Sequence, residues 1–166
     1  MKKGFFNFLK RSRHTKRNFI FDLDRTLWDF TVETSPNIKL REITNYVHRD
    51  RSLILKTIKE EGHTINIASR SKEPNKCLNM LEAAFPNIHF TNKQIFYTDN
   101  YDKQPHIHNI MQQSHLPDIH SYTDWDFFFL FDDEKYIIDD IGSKYKLNRC
   151  FHTPNGLHYG TFKDYL

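Results

Sequence analysis

Uninterrupted apolar runs that end in polar residues are the clearest pattern along this sequence. Phe19 to Phe21 and Phe127 to Phe131 contain no polar residue, and an aspartate follows each run. A third segment rich in strand-forming residues, Thr64 to Ala68, is followed by Ser69. Short apolar runs without alternation are typical of strands that are covered on both faces in a parallel sheet.

Helical periodicity separates these strands. Apolar residues recur at helical spacing from Leu40 to Glu61, and Gly62 ends the pattern. Further helices are predicted over Glu73 to Ala84 with Ser71 as a cap, Pro105 to His115, and Glu134 to Tyr145. Short strands are predicted at Ile88 to Phe90, Ile95 to Tyr97 and Leu147 to His152, a loop or hairpin at Leu27 to Lys39, and a covering segment at Thr161 to Leu166. The alternation predicts a three-layer, Rossmann-like α/β fold with a central parallel sheet.

Polar side chains follow three of the predicted strands at their carboxyl ends. These residues are Asp22, Ser69 and Asp132. Parallel strands bring such ends to one edge of the sheet, where α/β proteins bind ligands. Asp24 and Thr26 lie two and four residues after Asp22, so extended backbone would direct all three side chains to one side. Two carboxylates at the end of a buried strand are costly unless a cation or a reaction uses them.

The composition limits the class of protein. The chain has 166 residues, of which 38% are hydrophobic and 15% aromatic, and this predicts one folded domain. No apolar run approaches the roughly 20 residues that a membrane span needs. The two cysteines, Cys77 and Cys150, are expected to be core residues and do not indicate a disulfide framework. We therefore expect an intracellular protein, with the cytoplasm favoured and a nuclear location left open.

Positive charge is concentrated at the start of the chain. Seven of the 24 basic residues precede Asn18 and no acidic residue does, whereas the remainder has 17 basic and 21 acidic residues. This asymmetry divides the chain into a basic arm, residues 1–18, and a mildly acidic domain, residues 19–166. The arm is expected to be a solvated, poorly ordered tail, although its apolar residues from Phe5 to Leu9 could also place it on an anionic surface. Its deletion is expected to leave the function of the remaining domain nearly unchanged.

Four short motifs carry a resemblance to a known superfamily. Asp22-Leu23-Asp24-Arg25-Thr26-Leu27 resembles the first motif of the haloacid dehalogenase (HAD) superfamily of phosphohydrolases, Ala68-Ser69-Arg70 the second, Lys103 before Pro105 the third, and Phe131-Asp132-Asp133-Glu134 the fourth. Trp28, and Cys150-Phe151-His152 followed by Asn155-Gly156, resemble more narrowly the magnesium-dependent phosphatase-1 family. The resemblance covers about Phe19 to Leu166. It departs at Arg25, where an uncharged residue is expected, and at Gln104-Pro105.

The resemblance implies a Mg²⁺-dependent phosphomonoester hydrolase. Asp22 would be the nucleophile that forms an aspartyl-phosphate, and Asp24 would protonate the leaving group and then activate water. Mg²⁺ would lie between Asp22 and Asp132 with the Asp24 carbonyl as a third ligand, and Asp133 as an alternative ligand or an orienting neighbour. Ser69 and Lys103 would act on the phosphoryl oxygens. The residues expected to bind substrate are Leu23, Ser69, Arg70 and Lys103, with Lys93 as a substitute for Lys103.

Short intervals between the motifs predict an open site. Only 46 residues separate Asp22 from Ser69 and 33 separate Ser69 from Lys103, so no sizeable cap domain fits. Among substrates, the resemblance implies a phosphotyrosine protein or a sugar phosphate, and a polynucleotide end is the alternative. A non-catalytic HAD-fold binding module is the competing hypothesis, which Mg²⁺-dependent hydrolysis of an aryl phosphate would exclude.

Two other metal sites fit the sequence less well. Positions 1, 3, 5 and 12 of an EF-hand loop would be Asp22, Asp24, Thr26 and Glu33, but the glycine needed at position 6 is Leu27. The histidines at 106, 108, 115 and 120 are spaced by 2, 7 and 5 residues and do not share one helix face.

Overall fold

A computed structural model describes residues 2–11, 17–114, 128–145 and 150–165. Its helices are α1 Lys2–Arg11, α2 Arg49–Glu60, α3 Pro74–Ala84, α4 Gln104–Gln113 and α5 Lys135–Tyr145. Its strands are β1 Asn18–Phe21, β2 Thr64–Ser69, β3 Asn92–Ile95, β4 Phe128–Asp132 and β5 Cys150–His152. Short 3₁₀ helices lie at Val32–Thr34, Leu40–Tyr46, Asp99–Tyr101 and Tyr159–Tyr165. The ends predicted at His115, Phe127 and Leu147 lie outside the described residues.

The five strands form one parallel sheet in the order β3-β2-β1-β4-β5. Phe21 at the end of β1 pairs with Ile67 of β2 and with Phe131 of β4. The Asp22 amide continues this ladder by donating to the Phe131 carbonyl over 2.9 Å. The three central strands therefore end level with one another, and the predicted α/β fold with a central parallel sheet is confirmed.

Both faces of the sheet are buried, which explains the apolar runs without alternation. On one face, alternate strand residues such as Phe19, Phe21 and Phe129 join a core with side chains of α1, α2 and α3. On the other face, Ile20 and Leu130 pack with apolar residues of α4 and α5. The result is the three-layer arrangement that the sequence predicts.

The edge of the sheet at β3 differs from the prediction. In place of strands at 88–90 and 95–97, one polar strand runs from Asn92 to Ile95. The Asn92 side chain donates over 3.0 Å to buried Asn66 in β2, and Asn66 donates over 3.1 Å to the Phe19 carbonyl. Because these amides bond to each other across the strands, polar residues occupy sheet positions that a search for apolar runs misses.

The helix predicted from Leu40 to Glu61 is two helices. A 3₁₀ helix ends at Tyr46, and α2 starts after His48, whose Nδ1 accepts a hydrogen bond from the Asp50 amide over 3.1 Å. Both pieces bury apolar side chains in the same core, so the helical spacing continues through the break. The segment from Leu27 to Lys39 contains a 3₁₀ helix and no described strand, and the segment near the C-terminus covers the α1 face of the sheet with buried Phe162.

The basic arm is not a solvated tail over residues 2–11. Those residues form α1, and Phe5, Phe8 and Leu9 are buried in the main core against the 3₁₀ helix Tyr159–Tyr165. Phe8 contacts Phe129 of β4 with ring centres 5.0 Å apart. Three of the four apolar side chains that a membrane-surface interpretation requires are therefore inside the protein, and only Phe6 is exposed. Among the described helices, none has the length and apolar character to cross a membrane.

Candidate active site

A buried lysine joins the ends of two strands at the carboxyl edge of the sheet. Lys103, just before α4, places its Nζ 2.7 Å from Asp22 Oδ1 and 2.6 Å from Asp132 Oδ2. Burial lowers the pKa of Lys103, but the two carboxylates more than offset that effect and hold the pKa above its ordinary value. Lys103 is therefore a fixed positive charge at this edge. Lys93, the predicted substitute, is exposed on β3.

Three carboxylates cluster around this edge. Oxygen atoms of Asp22, Asp132 and Asp133 all lie within 4.8 Å of one another. Burial, and then the neighbouring Asp22, raises the pKa of Asp132 to about 6 and that of Asp133 to about 9. Lys103 balances only part of this negative charge. The possible metal ligands are carboxylate oxygens whose negative charge Lys103 does not fully balance, and such a set fits a divalent cation such as Mg²⁺. Both predicted ligands, Asp132 and Asp133, lie within 4.8 Å of Asp22.

Asp24 is held by the loop that follows β1. Its Oδ1 accepts hydrogen bonds from Trp28 Nε1 over 2.9 Å and from the Val32 amide over 3.2 Å. Burial raises the pKa of Asp24 in spite of these two donors. A carboxyl group with a raised pKa binds a proton more readily than an ordinary aspartate does, which suits a group that donates and accepts protons.

Hydroxyl groups complete the inner part of the site. Buried Ser69, at the end of β2, lines the same cavity as the carboxylates and accepts the Ser71 amide at 3.3 Å. Thr26 Oγ1 donates to Asp22 Oδ2 over 3.3 Å, so Thr26 orients the aspartate from within the turn. Ser71 itself accepts the Glu73 amide over 3.1 Å just before α3, close to its predicted capping role.

Two of the predicted substrate-binding residues lie in unexpected places. The Leu23 side chain is fully buried in the core and does not line the cavity. Arg70 lines the cavity, but its Nη2 donates to the Thr98 carbonyl over 2.6 Å and its Nε to Thr98 Oγ1 over 3.2 Å. Arg70 therefore anchors the loop that leads to Lys103, a role that its sequence position does not reveal.

The two alternative metal sites are not supported. Glu33 is not one of the clustered carboxylates, and its Oε1 accepts the Lys72 backbone amide over 2.6 Å, so the residues do not form an EF-hand site. His106 is stacked on Phe96, with its Nε2 donating to the Phe96 carbonyl over 2.8 Å. Burial lowers the pKa of His106 to about 4. His115 and His120 lie outside the described residues.

The site opens into a cavity of about 780 Å³. Its inner part contains the predicted residues Asp22, Asp24, Ser69, Lys103 and Asp132. None of the described residues that line it belongs to α1. The mouth has residues that the sequence analysis missed, because nothing in their spacing marks them: Lys72, Tyr97, Tyr101 and Tyr136. Arg25, noted only as a departure from the HAD pattern, also lines the mouth and has a left-handed backbone with φ 61°.

Comparisons with known proteins agree with this geometry. The family model described as acid phosphatase matches residues 15–166. The HAD domain of the effector protein Lem4 from Legionella pneumophila superposes with a TM-score of 0.55 and 15% identity, over 90% of this chain and 92% of that domain. The Pnkp1/Rnl/Hen1 RNA repair complex contains a chain that superposes with a TM-score of 0.53 and 18% identity, over 87% of this chain. This protein spans 44% of that longer chain.

These two solved structures are too distant in sequence to show more than the fold. A search of curated proteins gives no match. The family match extends over nearly the whole chain and includes every residue of the carboxylate and lysine cluster. The protein therefore belongs to the acid phosphatase family, and the predicted resemblance to the HAD superfamily of phosphohydrolases is confirmed.

Proposed function

We propose that this protein is a Mg²⁺-dependent phosphomonoester hydrolase that acts through an aspartyl-phosphate on Asp22. The observation that carries the proposal is the buried Lys103 ammonium between Asp22 and Asp132. A lysine in this place orients the Asp22 carboxylate as a nucleophile, while its positive charge faces the position of a phosphoryl group.

The first step transfers the phosphoryl group to the enzyme. An Asp22 oxygen forms a bond to phosphorus, and the bond between phosphorus and the ester oxygen breaks. The Asp24 carboxyl group donates its proton to the departing oxygen, so the alcohol leaves neutral. Ser69 and Lys103 stabilise the negative charge on the phosphoryl oxygens, since both are buried and line the same cavity.

The second step releases phosphate. Asp24, now ionised, accepts a proton from water, whose oxygen attacks phosphorus and breaks the bond to Asp22. Inorganic phosphate leaves, Asp22 returns to its carboxylate form and Asp24 is again protonated. The hydrogen bonds from Trp28 and Val32 hold the Asp24 carboxyl group in place through both steps.

The residues that would hold Mg²⁺ are Asp22, the carboxylates Asp132 and Asp133, and the Asp24 carbonyl. Bound there, the ion would neutralise charge on the phosphoryl group and orient it for in-line attack. The clustering of three carboxylates around one lysine supports this assignment.

The open cavity leaves room for substrates larger than a small metabolite. The family resemblance favours a phosphotyrosine protein or a sugar phosphate, and the RNA repair complex among the structural relatives keeps a polynucleotide end as the second candidate. The exposed lysines of α1 support a further proposal, that this helix contacts an anionic partner.

The decisive experiment is hydrolysis of p-nitrophenyl phosphate by the full chain with and without Mg²⁺. Asp22→Asn should lower turnover by more than about a thousandfold, because an amide cannot act as the nucleophile. Asp139→Asn, at an exposed carboxylate of α5 paired with Lys135, is the matched control and should retain wild-type turnover. Circular dichroism should show both variants folded.

Two results would contradict the proposal. Near wild-type turnover by Asp22→Asn would exclude the covalent mechanism. Failure of the wild-type protein to hydrolyse several phosphomonoesters in Mg²⁺ would favour a non-catalytic binding module.

A further inference from the structure

Three tyrosines surround the mouth of the active-site cavity. Tyr97, Tyr101 and Tyr136 are 48%, 59% and 63% exposed and all line the cavity. Tyr101 meets Tyr136 edge to face, with ring centres 6.1 Å apart and planes at 70°. These three residues form what we call the aromatic rim. Large exposed rings clustered beside a catalytic site are unusual unless a ligand covers them.

Basic side chains lie close to two rings of the aromatic rim. The Arg70 guanidinium lies 4.8 Å from the Tyr101 ring centre and 5.5 Å from that of Tyr97. Lys72 Nζ lies 4.4 Å from the Tyr97 ring centre. The hydrogen bonds from Arg70 to Thr98 fix the guanidinium beneath the rings. The rings of Tyr97 and Tyr101 are therefore held in place before any ligand arrives.

The backbone that carries Tyr101 is strained. Asn100 and Tyr101 have φ values of 58° and 55°, in the left-handed region that a bulky aromatic residue rarely adopts. Such conformations persist where the surrounding structure enforces them, and they are concentrated at sites that bind ligands or catalyse reactions. Here the strained backbone directs the Tyr101 ring to the mouth of the cavity. This observation indicates a ligand site independently of the exposure of the ring.

The depth of the site favours a particular leaving group. The carboxylates that face phosphorus are buried, whereas the rings of the aromatic rim lie at the exposed mouth. In an aryl phosphate the ring is bonded directly to the ester oxygen and would lie near the floor. In a nucleotide a ribose separates the phosphate from the base, which carries the planar base outward towards the rim.

The charged residues at the mouth of the cavity are compatible with a nucleotide. Arg25, Arg70 and Lys72 line it together with the acidic residues Glu33 and Glu134. Aromatic rings interleaved with basic side chains are the arrangement that proteins use to stack bases next to phosphate groups.

We propose that the aromatic rim makes this enzyme selective for nucleotide phosphomonoesters, with the base stacked on Tyr101 or Tyr136 and the phosphate at Asp22. The inference rests on the proposed phosphatase function, and it selects nucleotides as the substrate class over the phosphotyrosine protein or sugar phosphate that the resemblance implies. The chemistry is shared by free mononucleotides and by phosphorylated ends of single-stranded nucleic acid.

The test compares kcat/KM in Mg²⁺ for matched substrates with the full-length protein. The nucleotide set is 5′-AMP, 3′-AMP and a short oligothymidylate phosphorylated at either end. The comparison set is glycerol phosphate, glucose 6-phosphate and a phosphotyrosine peptide. We expect the best nucleotide substrate to exceed every member of the comparison set by roughly tenfold or more, the effect of a single base stack. The kcat/KM values also distinguish mononucleotides from oligonucleotide ends, because the physiological substrate class is the one that shows the tenfold preference.

Substitutions in the rim supply the second measurement. Tyr101→Ala and Tyr136→Ala should lower the ratio of nucleotide to glycerol phosphate kcat/KM by about tenfold, mainly through KM. Tyr101→Phe retains a ring and should keep the ratio. Phe6→Ala removes another exposed ring, 45% exposed on α1 and outside the cavity, and serves as the control for surface truncation.

The proposal is overturned if the phosphotyrosine peptide or glucose 6-phosphate matches the best nucleotide. It is also overturned if the alanine variants lower kcat/KM equally for all substrates, since the rings would then have only a structural role in positioning Lys103. Absence of turnover on every substrate, p-nitrophenyl phosphate included, would instead refute the phosphatase function itself.

Discussion

The buried N-terminal helix leads to a direct prediction, that Phe8→Ala strongly destabilises the fold. Phe8 is fully buried, and its ring centre lies 5.0 Å from that of Phe129 in β4 and 5.1 Å from that of Phe162 near the C-terminus. Truncation of a buried phenylalanine costs about 3–5 kcal/mol, because it loses burial and leaves a cavity. For a chain of this length the melting temperature should fall by roughly 10 °C.

The matched control for this change lies in the same helix. Phe6 is 45% exposed, so Phe6→Ala should change the free energy of unfolding by less than about 1 kcal/mol. Urea denaturation followed by far-UV circular dichroism measures both variants. Well below its melting temperature, Phe8→Ala should still hydrolyse p-nitrophenyl phosphate, because no described residue of α1 lines the cavity. If Phe8→Ala were no less stable than Phe6→Ala, the helix would not be docked and residues 1–18 would be the solvated tail that composition suggests.

Three further predictions test the C-terminal turn, the metal site and a buried histidine. Gly156→Ala should destabilise the fold by about 2 kcal/mol more than Gly62→Ala, since both glycines have positive φ but only a Cβ at 156 would lie 2.1 Å from Nη2 of buried Arg51. In the assay of turnover, Ca²⁺ should bind in place of Mg²⁺ but support little hydrolysis, because its larger, irregular coordination shell can take both oxygens of a carboxylate; equal rates would contradict the metal assignment. His106 has its pKa lowered to about 4 by burial and by nearby Lys103 and Arg70, so the unfolded chain binds a proton between pH 6.5 and 4 that the folded protein does not. Acidification through this range should therefore cost about 3 kcal/mol of stability, and His106→Gln should flatten that slope in urea titrations at several pH values.

Much of the candidate site could be predicted from sequence because it lies at strand ends. Asp22, Ser69 and Asp132 each follow or end a buried strand, and in a parallel sheet such residues must meet at one edge. Lys103 was predicted only through the resemblance to the HAD motifs. Its ion pairs with two aspartates from other strands required the folded chain.

The sequence could not predict the rim or the role of Arg70. Tyr97 and Tyr101 lie in the connection between β3 and α4, whereas Tyr136 lies in α5, so the contact between Tyr101 and Tyr136 depends on how α4 and α5 pack against the sheet. Arg70 was expected to contact substrate, whereas its hydrogen bonds to Thr98 depend on a loop that lies 28 residues further along the chain.

The arm shows the same division between local pattern and long-range packing. By itself the sequence determined the alternation of strands and helices, the burial of the central strands and the acidic residues at their ends, because these follow from local hydrophobic patterns and the geometry of parallel sheets. It could not show that Phe5 and Phe8 would be buried, since their partners lie more than a hundred residues away around Phe129 and Phe162. Only the tertiary structure decided where these side chains and the rings of the rim lie, because packing between distant segments carries no periodic signal in the sequence.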